Sequence, residues 1–368
     1  MRIVLDLRIF GPQFGGLGRY NQKLLEQLVI LDQENHYIVL LKENVPELKL
    51  PANFEIKLAP YHWYSLKEQI FLPFILKSLK PDLVHFPHFN VPIFYFGKFI
   101  VTVHDLIMTK FPSVRTSTLN KTSFVFKRLA YHLTIFLAIK RAHFVIAVSK
   151  FTANDIKEYF KLDNIKAEKI KLIYEGLSVE QKPGGKTRSL PEKFLLYVGN
   201  AYPHKNLEFL IKAFIAWQKN HPDFHLVLVG NKNYFYQRLE NYAKDNFVEY
   251  KDKIIFAGFV PDEELVQYYQ QAKAYVFPSL YEGFGLPPLE AQSYDLPVLS
   301  SSSSCLPEIL ADSVLYFDPN SESDFKNKLD QILFDQSLRK SLEIKGREQI
   351  KKYTWEKMVD EIIELYKK

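Results

Sequence analysis

Two glutamates bracket a short glycine-rich segment, and this spacing is the clearest chemical pattern in the sequence. Glu282 and Glu290 have seven residues between them, which include Gly283, Phe284, Gly285 and Leu286. A carboxylate accepts hydrogen bonds from two hydroxyl groups at once, as the vicinal diols of sugars and riboses require. Backbone N–H groups near the glycines can face a phosphate or a sugar oxygen. The pattern predicts a site for a ligand that carries such groups.

The neighbouring residues supply elements that would position this segment. The apolar run Ala274–Phe277 is typical of a buried parallel strand. Pro287 and Pro288 suit the start of a helix that continues to Tyr294. The alternative is an ordinary glycine-rich connection with two solvated glutamates. The strand–loop–helix context and the paired acids favour the ligand site.

This segment resembles the motif of the family 4 retaining glycosyltransferases, with Gly-Phe-Gly-Leu-Pro between the two glutamates. The resemblance implies an α/β fold of GT-B type. Two Rossmann-like doubly wound domains would face a cleft, and the C-terminal helix would cross back to the N-terminal domain. It also implies a nucleotide-sugar donor and front-face displacement, in which the leaving diphosphate helps to deprotonate the acceptor.

The order of predicted elements agrees with two such domains, because strands alternate with helices twice along the chain. We predict an N-terminal, acceptor-side domain over residues 1–180, joined by the helical segment 353–368. A nucleotide-sugar-binding domain would cover 190–352, and the polar, glycine-containing stretch 181–189 would be the linker. The predicted strands are 2–8, 37–41, 54–59, 83–86, 99–103, 143–148 and 170–174, then 194–198, 224–229, 253–256, 274–277, 298–300 and 314–317.

The first predicted domain carries two candidate site segments. His104 and Asp105 end a buried strand, at the carboxyl edge where such sheets bind ligands. The resemblance places the His close to the transferred sugar and makes it catalytic together with Glu282. Gly16 and Arg19 belong to a loop that resembles the family's N-terminal glycine loop beside the donor. A tight turn without a ligand is the alternative for that loop.

The second predicted domain adds Lys205, at the start of a helix, where it could meet a diphosphate. The resemblance assigns Glu290 to the nucleotide ribose, and Glu282 with the 283–286 backbone to the sugar. Asn200 stands where family members commonly have Arg, so one cationic contact is missing unless His204 or Arg19 replaces it. Ser304 is a further candidate, in a serine-rich loop beside the nucleotide.

Composition and motifs limit which metals and cofactors the protein could bind. The chain has 368 residues and one cysteine, and no His/Cys cluster has metal-ligand spacing. We expect no metal and no cofactor apart from the donor substrate. The glycine loop does not match Gly-x-Gly-x-x-Gly, which argues against a nicotinamide dehydrogenase.

Residues 106–154 contain eight Lys or Arg and no acidic residue. This stretch could be a core helix with charged ends, or it could lie on an anionic membrane surface. No nucleic-acid-binding motif accompanies it. We expect a cytoplasmic protein without a spanning helix, with peripheral attachment to the inner face of the cell membrane as the second alternative.

The predicted function is transfer of a hexose from GDP-mannose or a UDP-hexose to a saccharide or lipid-linked glycan. Mannose is the first candidate for the hexose. The alternative is a non-catalytic member that binds a saccharide or a partner at the membrane. An epimerase or phosphorylase on a similar fold is a third, weaker alternative.

Overall fold

The computed structural model describes residues 1–111, 121–161, 168–178 and 189–368, without the side chains of residues 121–127. The chain divides into two compact units. The first contains residues 1–110, 117–176 and 354–368, and the second contains 111–116 and 177–353. Residues 181–188 of the predicted linker lie outside the described part of the chain, as do the side chains of Phe124, Phe126 and Lys127.

The described part of the first unit contains a seven-stranded parallel sheet in the order β3-β2-β1-β4-β5-β6-β7. The order reverses between β1 and β4, and this is where ligands bind in such sheets. The strands are β1 (Arg2–Asp6), β2 (His36–Leu41), β3 (Phe54–Leu58), β4 (Leu83–Phe86), β5 (Phe99–Val103), β6 (Phe144–Ala147) and β7 (Ile170–Leu172).

Helices cover both faces of this sheet because successive strand residues point to opposite sides. Val4 packs with helices α2 and α4 on one face, whereas Ile3 and Leu5 pack with α1 and α13 on the other. These helices are α1 (Gly15–Leu31), α2 (Leu66–Leu79), α4 (Lys121–Arg141) and α13 (Trp355–Tyr366), with α3 (Ile107–Lys110) and α5 (Lys150–Phe160) at the carboxyl ends of strands.

The described part of the second unit contains a six-stranded parallel sheet, in the order β10-β9-β8-β11-β12-β13. Its order reverses between β8 and β11. The strands are β8 (Phe194–Val198), β9 (His225–Val229), β10 (Ile254–Gly258), β11 (Ala274–Phe277), β12 (Val298–Ser301) and β13 (Leu315–Phe317). The helices are α6 (Leu207–Gln218), α7 (Tyr234–Asn246), α8 (Asp262–Gln271), α9 (Leu286–Gln292), α10 (Leu306–Leu310), α11 (Glu322–Phe334) and α12 (Gln336–Ile350).

Two local predictions need correction. The sequence suggests Thr152 as the cap of α5, but the helix begins at Lys150 and Ser149 Oγ accepts from Thr152 N–H. The glycine stretch before Tyr20 was expected to be a loop, yet α1 already begins at Gly15. Gly16 therefore lies in the first turn of a helix, and its missing side chain leaves open space there.

Helix α13 is part of the first unit through buried contacts. Tyr366 O–H lies 2.6 Å from His85 Nδ1, and His85 Nε2 lies 3.1 Å from Thr102 Oγ1. At the start of the helix, a Cβ on Gly176 would come within 2.4 Å of Trp355 N. Only glycine allows this close approach of the two backbones.

No helix within the described residues combines the length and the apolar character that crossing a membrane requires.

Candidate functional site

The carboxyl edge of the second sheet brings Lys205 and Glu282 together at the point where strand order reverses. Lys205 follows β8 and Glu282 follows β11, and Lys205 Nζ lies 2.6 Å from Glu282 Oε1. The Lys and Glu side chains are 12% and 9% exposed. Removing a charge pair from water costs free energy unless both groups are well hydrogen-bonded. Such a pair at the edge of a sheet where ligands bind is therefore a candidate for a functional site.

Backbone contacts fix the loop that carries Glu282. Leu280 N–H donates to the carbonyl of His204, which joins this loop to the one after β8. Glu282 N–H donates to Ser304 Oγ over 3.0 Å. Ser304 itself has a φ of 56°, a left-handed conformation that is uncommon outside glycine. Ser304 therefore helps to shape the loop, and the structure brings this predicted residue beside Glu282.

The glycine-rich segment turns directly into α9. Gly285 has a φ of 98°, and a Cβ there would lie 2.9 Å from a methyl group of Leu306. Both facts require glycine at this position. Gly283, Phe284 and Gly285 are buried. Helix α9 begins at Leu286, the residue directly after Gly285.

Glu290 has a different environment from Glu282. It is half-buried on α9, and its Oε2 accepts a hydrogen bond of 3.2 Å from Tyr269 O–H. Burial raises the pKa of Tyr269 well above its usual value, and the nearby Glu290 charge raises it further. Tyr269 therefore remains a hydrogen-bond donor that orients Glu290. Tyr269 was not predicted from the sequence because it lies on a separate helix, α8.

The loop after β8 contains Asn200, at the position of the missing arginine, and the buried His204. Burial, assisted by the Lys205 charge, lowers the pKa of His204 to about 4, so this ring is neutral at pH 7. Asn200 is half-buried, and its Oδ1 accepts from Tyr202 N–H over 3.3 Å. His204 therefore carries no charge in this environment, whereas Asn200 orders the turn; replacement of the arginine by His204 or Arg19 stays a prediction.

In the first unit, His104 follows β5 and makes two short contacts. Its Nδ1 lies 2.7 Å from Glu175 Oε1, and its Nε2 lies 2.9 Å from the carbonyl oxygen of Pro87. Burial alone would lower the pKa of His104, but the hydrogen bond and charge of Glu175 outweigh it and raise that pKa above its ordinary value. Glu175 follows the short strand β7 and was not predicted.

The other predicted residues of the first unit lie on α1 and just before α3. Asp105 Oδ1 accepts from Ile107 N–H over 2.9 Å and caps α3. Gly16 and Arg19 are exposed on the first turns of α1. Both residues lie near the carboxyl end of β1, where the loop after this strand begins.

A buried charged network, also missed from sequence, lies at the same edge. Arg8 contacts Asp6 and Glu68, and Asn90 Nδ2 donates to both oxygens of Glu68. The network borders a cleft, in which the buried Asn21 Oδ1 has no hydrogen-bond partner among the described residues. The cleft is lined by Asp6, Arg8, Ile9, Asn21, Trp63, Phe86, Pro87, His88 and Asn90.

Among the described residues, no three His, Cys, Asp or Glu side chains are grouped so that they could hold a metal ion. The second unit instead offers a cation, two carboxylates in different environments, and the backbone of the glycine-rich segment 283–286. Such a set can hold a ligand that combines hydroxyl groups with phosphates.

Two family models match consecutive parts of the chain. The model "Glycosyl transferases group 1" matches residues 179–349, and the model "Glycosyltransferase Family 4" matches residues 14–181. The matches meet near the boundary between the two units and together extend from residue 14 to residue 349.

Individual proteins agree with these models. The O-antigen chain mannosyltransferase B of Escherichia coli is 28% identical over 306 residues, which covers 79% of this chain and 76% of that protein. Sucrose-phosphate synthase from Thermosynechococcus elongatus has a similar structure, with a TM-score of 0.76 and 21% identity over 100% of this chain and 98% of that one. Anabaena HepE, solved in complex with UDP and glucose, gives a TM-score of 0.70 and 15% identity over 100% and 99% of the two chains.

The two parallel, Rossmann-like sheets confirm the predicted fold class, and these structural neighbours share it. The predicted family and the prediction of a sugar-transferring enzyme are confirmed as well. The chain belongs to the family 4 glycosyltransferases.

Proposed function

We propose that this enzyme transfers mannose from GDP-mannose to a hydroxyl group of a saccharide or lipid-linked glycan, with retention of the anomeric configuration. The buried Lys205–Glu282 pair at the reversal of strand order carries the proposal. Mannose is favoured because the Escherichia coli relative is named a mannosyltransferase. The UDP and glucose in the HepE complex make a UDP-hexose the alternative donor to test.

Each group in the second unit has a role in this proposal. Lys205 would face the diphosphate, where negative charge develops as the donor bond breaks. Glu282 and the backbone of 283–286 would hold the sugar hydroxyl groups. Glu290, oriented by Tyr269, would accept the two hydroxyl groups of the ribose.

The chemical step needs no enzyme nucleophile. The bond between the anomeric carbon and the diphosphate oxygen breaks, and the acceptor oxygen forms a bond on the same face. The acceptor proton passes to an oxygen of the departing diphosphate. The scheme uses no metal, because Lys205 supplies the positive charge that would face the diphosphate.

A donor panel tests the proposal. Purified enzyme is incubated with GDP-mannose, UDP-glucose, UDP-galactose and UDP-N-acetylglucosamine, with and without EDTA, and nucleoside diphosphate release is measured. We expect the fastest release and the largest thermal shift with GDP-mannose, because a ligand that binds only the native state stabilises it. Faster release from a UDP-sugar would reject mannose as the donor sugar, and loss of release with EDTA would reject the metal-free scheme.

We also propose that the first unit associates with an anionic membrane surface, where a lipid-linked acceptor would be available. The outer side of α2 supports this. Leu66, Ile70 and Phe74 recur every four residues and therefore share one side of the helix, and they are 81%, 49% and 68% exposed. Such a stripe is unusual on a surface that faces only water.

Neighbouring segments on the same face of the sheet extend this apolar surface. Phe94 and Phe96 precede β5, and Leu129 and Leu133 lie on α4; all four are exposed. Within 66–79, 87–98 and 128–141, the acidic residue is Glu68, which is buried. The basic residues of these segments are Lys67, Lys77, Lys98, Arg128, Lys140 and Arg141. Apolar side chains with basic neighbours suit the interface of an anionic bilayer.

Cosedimentation with vesicles tests this association. The enzyme should pellet with phosphatidylglycerol vesicles, remain largely in solution with phosphatidylcholine vesicles, and be released by salt. Phe74→Ser and Lys67→Glu should weaken binding. Phe259→Ser is the matched control, because Phe259 is 67% exposed but belongs to the second unit. A wild-type protein that stays in solution with anionic vesicles at low salt would reject the membrane proposal and leave the donor proposal intact.

A further inference from the structure

The ring of His104 lies between two oxygen atoms that can only accept hydrogen bonds. Its Nδ1 is 2.7 Å from a carboxylate oxygen of Glu175, and its Nε2 is 2.9 Å from the carbonyl oxygen of Pro87. The three residues follow strands β5, β7 and β4, so the carboxyl edge of one sheet brings them together. The His104 side chain is 19% exposed and that of Glu175 is 10% exposed.

Beside an ionised Glu175, this geometry requires a proton on each ring nitrogen. A neutral imidazole has one N–H donor and one nitrogen lone pair. Whichever tautomer formed, the lone pair would face an oxygen lone pair at hydrogen-bond distance. The imidazolium form donates to both oxygens and satisfies both contacts. The charge of the Glu175 carboxylate compensates the positive charge of the ring.

The other titratable groups around the ring agree with a single histidine cation. Burial lowers the pKa of both His85 and His88 to about 3, so neither carries a charge at neutral pH. Tyr20 meets the His104 ring edge-on at 4.7 Å, and burial raises its pKa, so it stays protonated. Asp105 adds a negative charge on the chain neighbour of His104.

We propose that Glu175 is a positioning residue for sugar transfer, which holds His104 as an imidazolium in a fixed orientation. The protonated His104 ring then offers a positive charge to oxygen atoms of the substrates, and in this form it cannot act as the base that removes the acceptor proton. This inference rests on the assignment of His104 to the active site under the proposed function. Its first test does not depend on activity.

The charge state can be measured in the free enzyme. Protein labelled with ¹⁵N-histidine is titrated by NMR between pH 5 and 9, and the His104 signal is assigned with His104→Asn. We expect the wild-type ring to keep both protons above pH 6.5, and Glu175→Gln to lower its pKa by about one unit or more. Glu168→Gln, at an exposed position just before β7, is the matched control and should leave the titration unchanged.

The wild-type titration alone can overturn the inference, even if Glu175→Gln fails to fold. A His104 ring that becomes neutral below pH 6.5 in the wild type would reject it. An unchanged His104 titration in a folded Glu175→Gln protein would also reject it. A titration as expected, together with no donor turnover in the panel above, would instead locate the failure in the proposed function.

The pH profile of kcat/KM gives a second measurement. If the imidazolium is the active form, activity falls as pH rises through the His104 pKa, and Glu175→Gln should move this fall to lower pH. Glu175→Asp, which retains the charge, should restore part of the difference. A fall in rate that is equal at every pH in Glu175→Gln would mean that Glu175 has only a structural role, and would reject the proposal.

Discussion

Lys205 Nζ lies 2.6 Å from Glu282 Oε1, and this pair joins the loops that follow two adjacent strands, β8 and β11. Each side chain neutralises the other in a largely buried position. The proposed ligand offers a diphosphate for the Lys and hydroxyl groups for the Glu. The ion pair therefore holds both side chains in position before the donor binds. Little orientational entropy is then lost when the donor binds.

Removal of one member of this pair should destabilise the protein more than removal of both. We expect Lys205→Met to lower the free energy of unfolding by about 3 kcal/mol, because it leaves a buried carboxylate without a partner. The double variant Lys205→Met/Glu282→Gln should regain part of this loss. Urea unfolding of the wild type, Lys205→Met, Glu282→Gln and the double variant measures the coupling energy between the two side chains. Strict additivity would mean that the two charges do not interact.

Lys205→Ala should also discriminate between nucleotides. If the Lys faces the distal phosphate, the variant loses a charged hydrogen bond to GDP of about 1.5–3 kcal/mol, or at least about tenfold in affinity. Binding of GMP should change much less. Calorimetry with both nucleotides gives the comparison, with Lys212→Ala, at the exposed surface of α6, as control. Equal losses for GDP and GMP would remove Lys205 from the diphosphate site.

The ribose assignment depends on Glu290 and its donor Tyr269. Glu290→Gln keeps the size of the side chain but removes its charge, and we expect donor binding to weaken by about 1.5–3 kcal/mol. Tyr269→Phe removes only the 3.2 Å hydrogen bond to Glu290, so it should have a smaller effect of about 0.5–1.5 kcal/mol. Calorimetry that finds Glu290→Gln unchanged would contradict the assignment.

The buried His85 should make the protein sensitive to acid. Burial lowers the pKa of His85 in the folded protein to about 3, whereas an unfolded chain has a pKa near 6.5. The unfolded state binds more protons between these values, so stability is present above about pH 6.5 and is lost as pH falls towards 3. We expect a loss of about 3 kcal/mol between pH 6.5 and 4.

His85→Met should remove this part of the pH dependence, whatever it does to absolute stability, whereas His62→Gln at an exposed position should not. Chemical unfolding at several pH values measures both. An identical pH slope in wild type and His85→Met would show that His85 does not titrate on unfolding in this range.

The contact of Gly176 with α13 gives a steric prediction. Gly176→Ala places a methyl group within 2.4 Å of Trp355 N, so the backbones must separate, and we expect a loss of about 1–3 kcal/mol in stability. Gly16→Ala is the control, because the added methyl meets open space in a helix and should raise stability slightly. Thermal unfolding compares the two variants. Equal stability of Gly176→Ala and wild type would contradict the close approach.

The sheet strands could be predicted from sequence because each is a short apolar run between breakers. The run Ala274–Phe277 is an example, and it is β11 as expected. Lys205 and Glu282 could be found because each follows such a strand, and parallel strands deliver their carboxyl ends to one edge. That they pair directly could not be predicted, because this depends on side-chain rotamers and on the Ser304 conformation.

Glu175 could not be identified in the same way. Its strand, β7, has only three residues, and its partner His104 lies 71 residues earlier in the chain. The burial of Glu68 could not be predicted either, because a glutamate on a helix is normally solvated. Only the packing of α2 on the sheet shows that this side chain is buried against Arg8. The boundary errors at α1 and α5 came from neighbouring residues that can cap or begin a helix equally well.

The anchoring of Tyr366 to His85 affects the order in which the molecule can be assembled on the ribosome. Residues 1–176 are synthesised before α13, and their sheet remains uncovered over part of one face until that helix has been made. The second unit, residues 111–116 and 177–353, has been synthesised completely before that helix emerges. We therefore expect the second domain to mature before the first during synthesis, and the nascent first domain to be the segment that most needs chaperones.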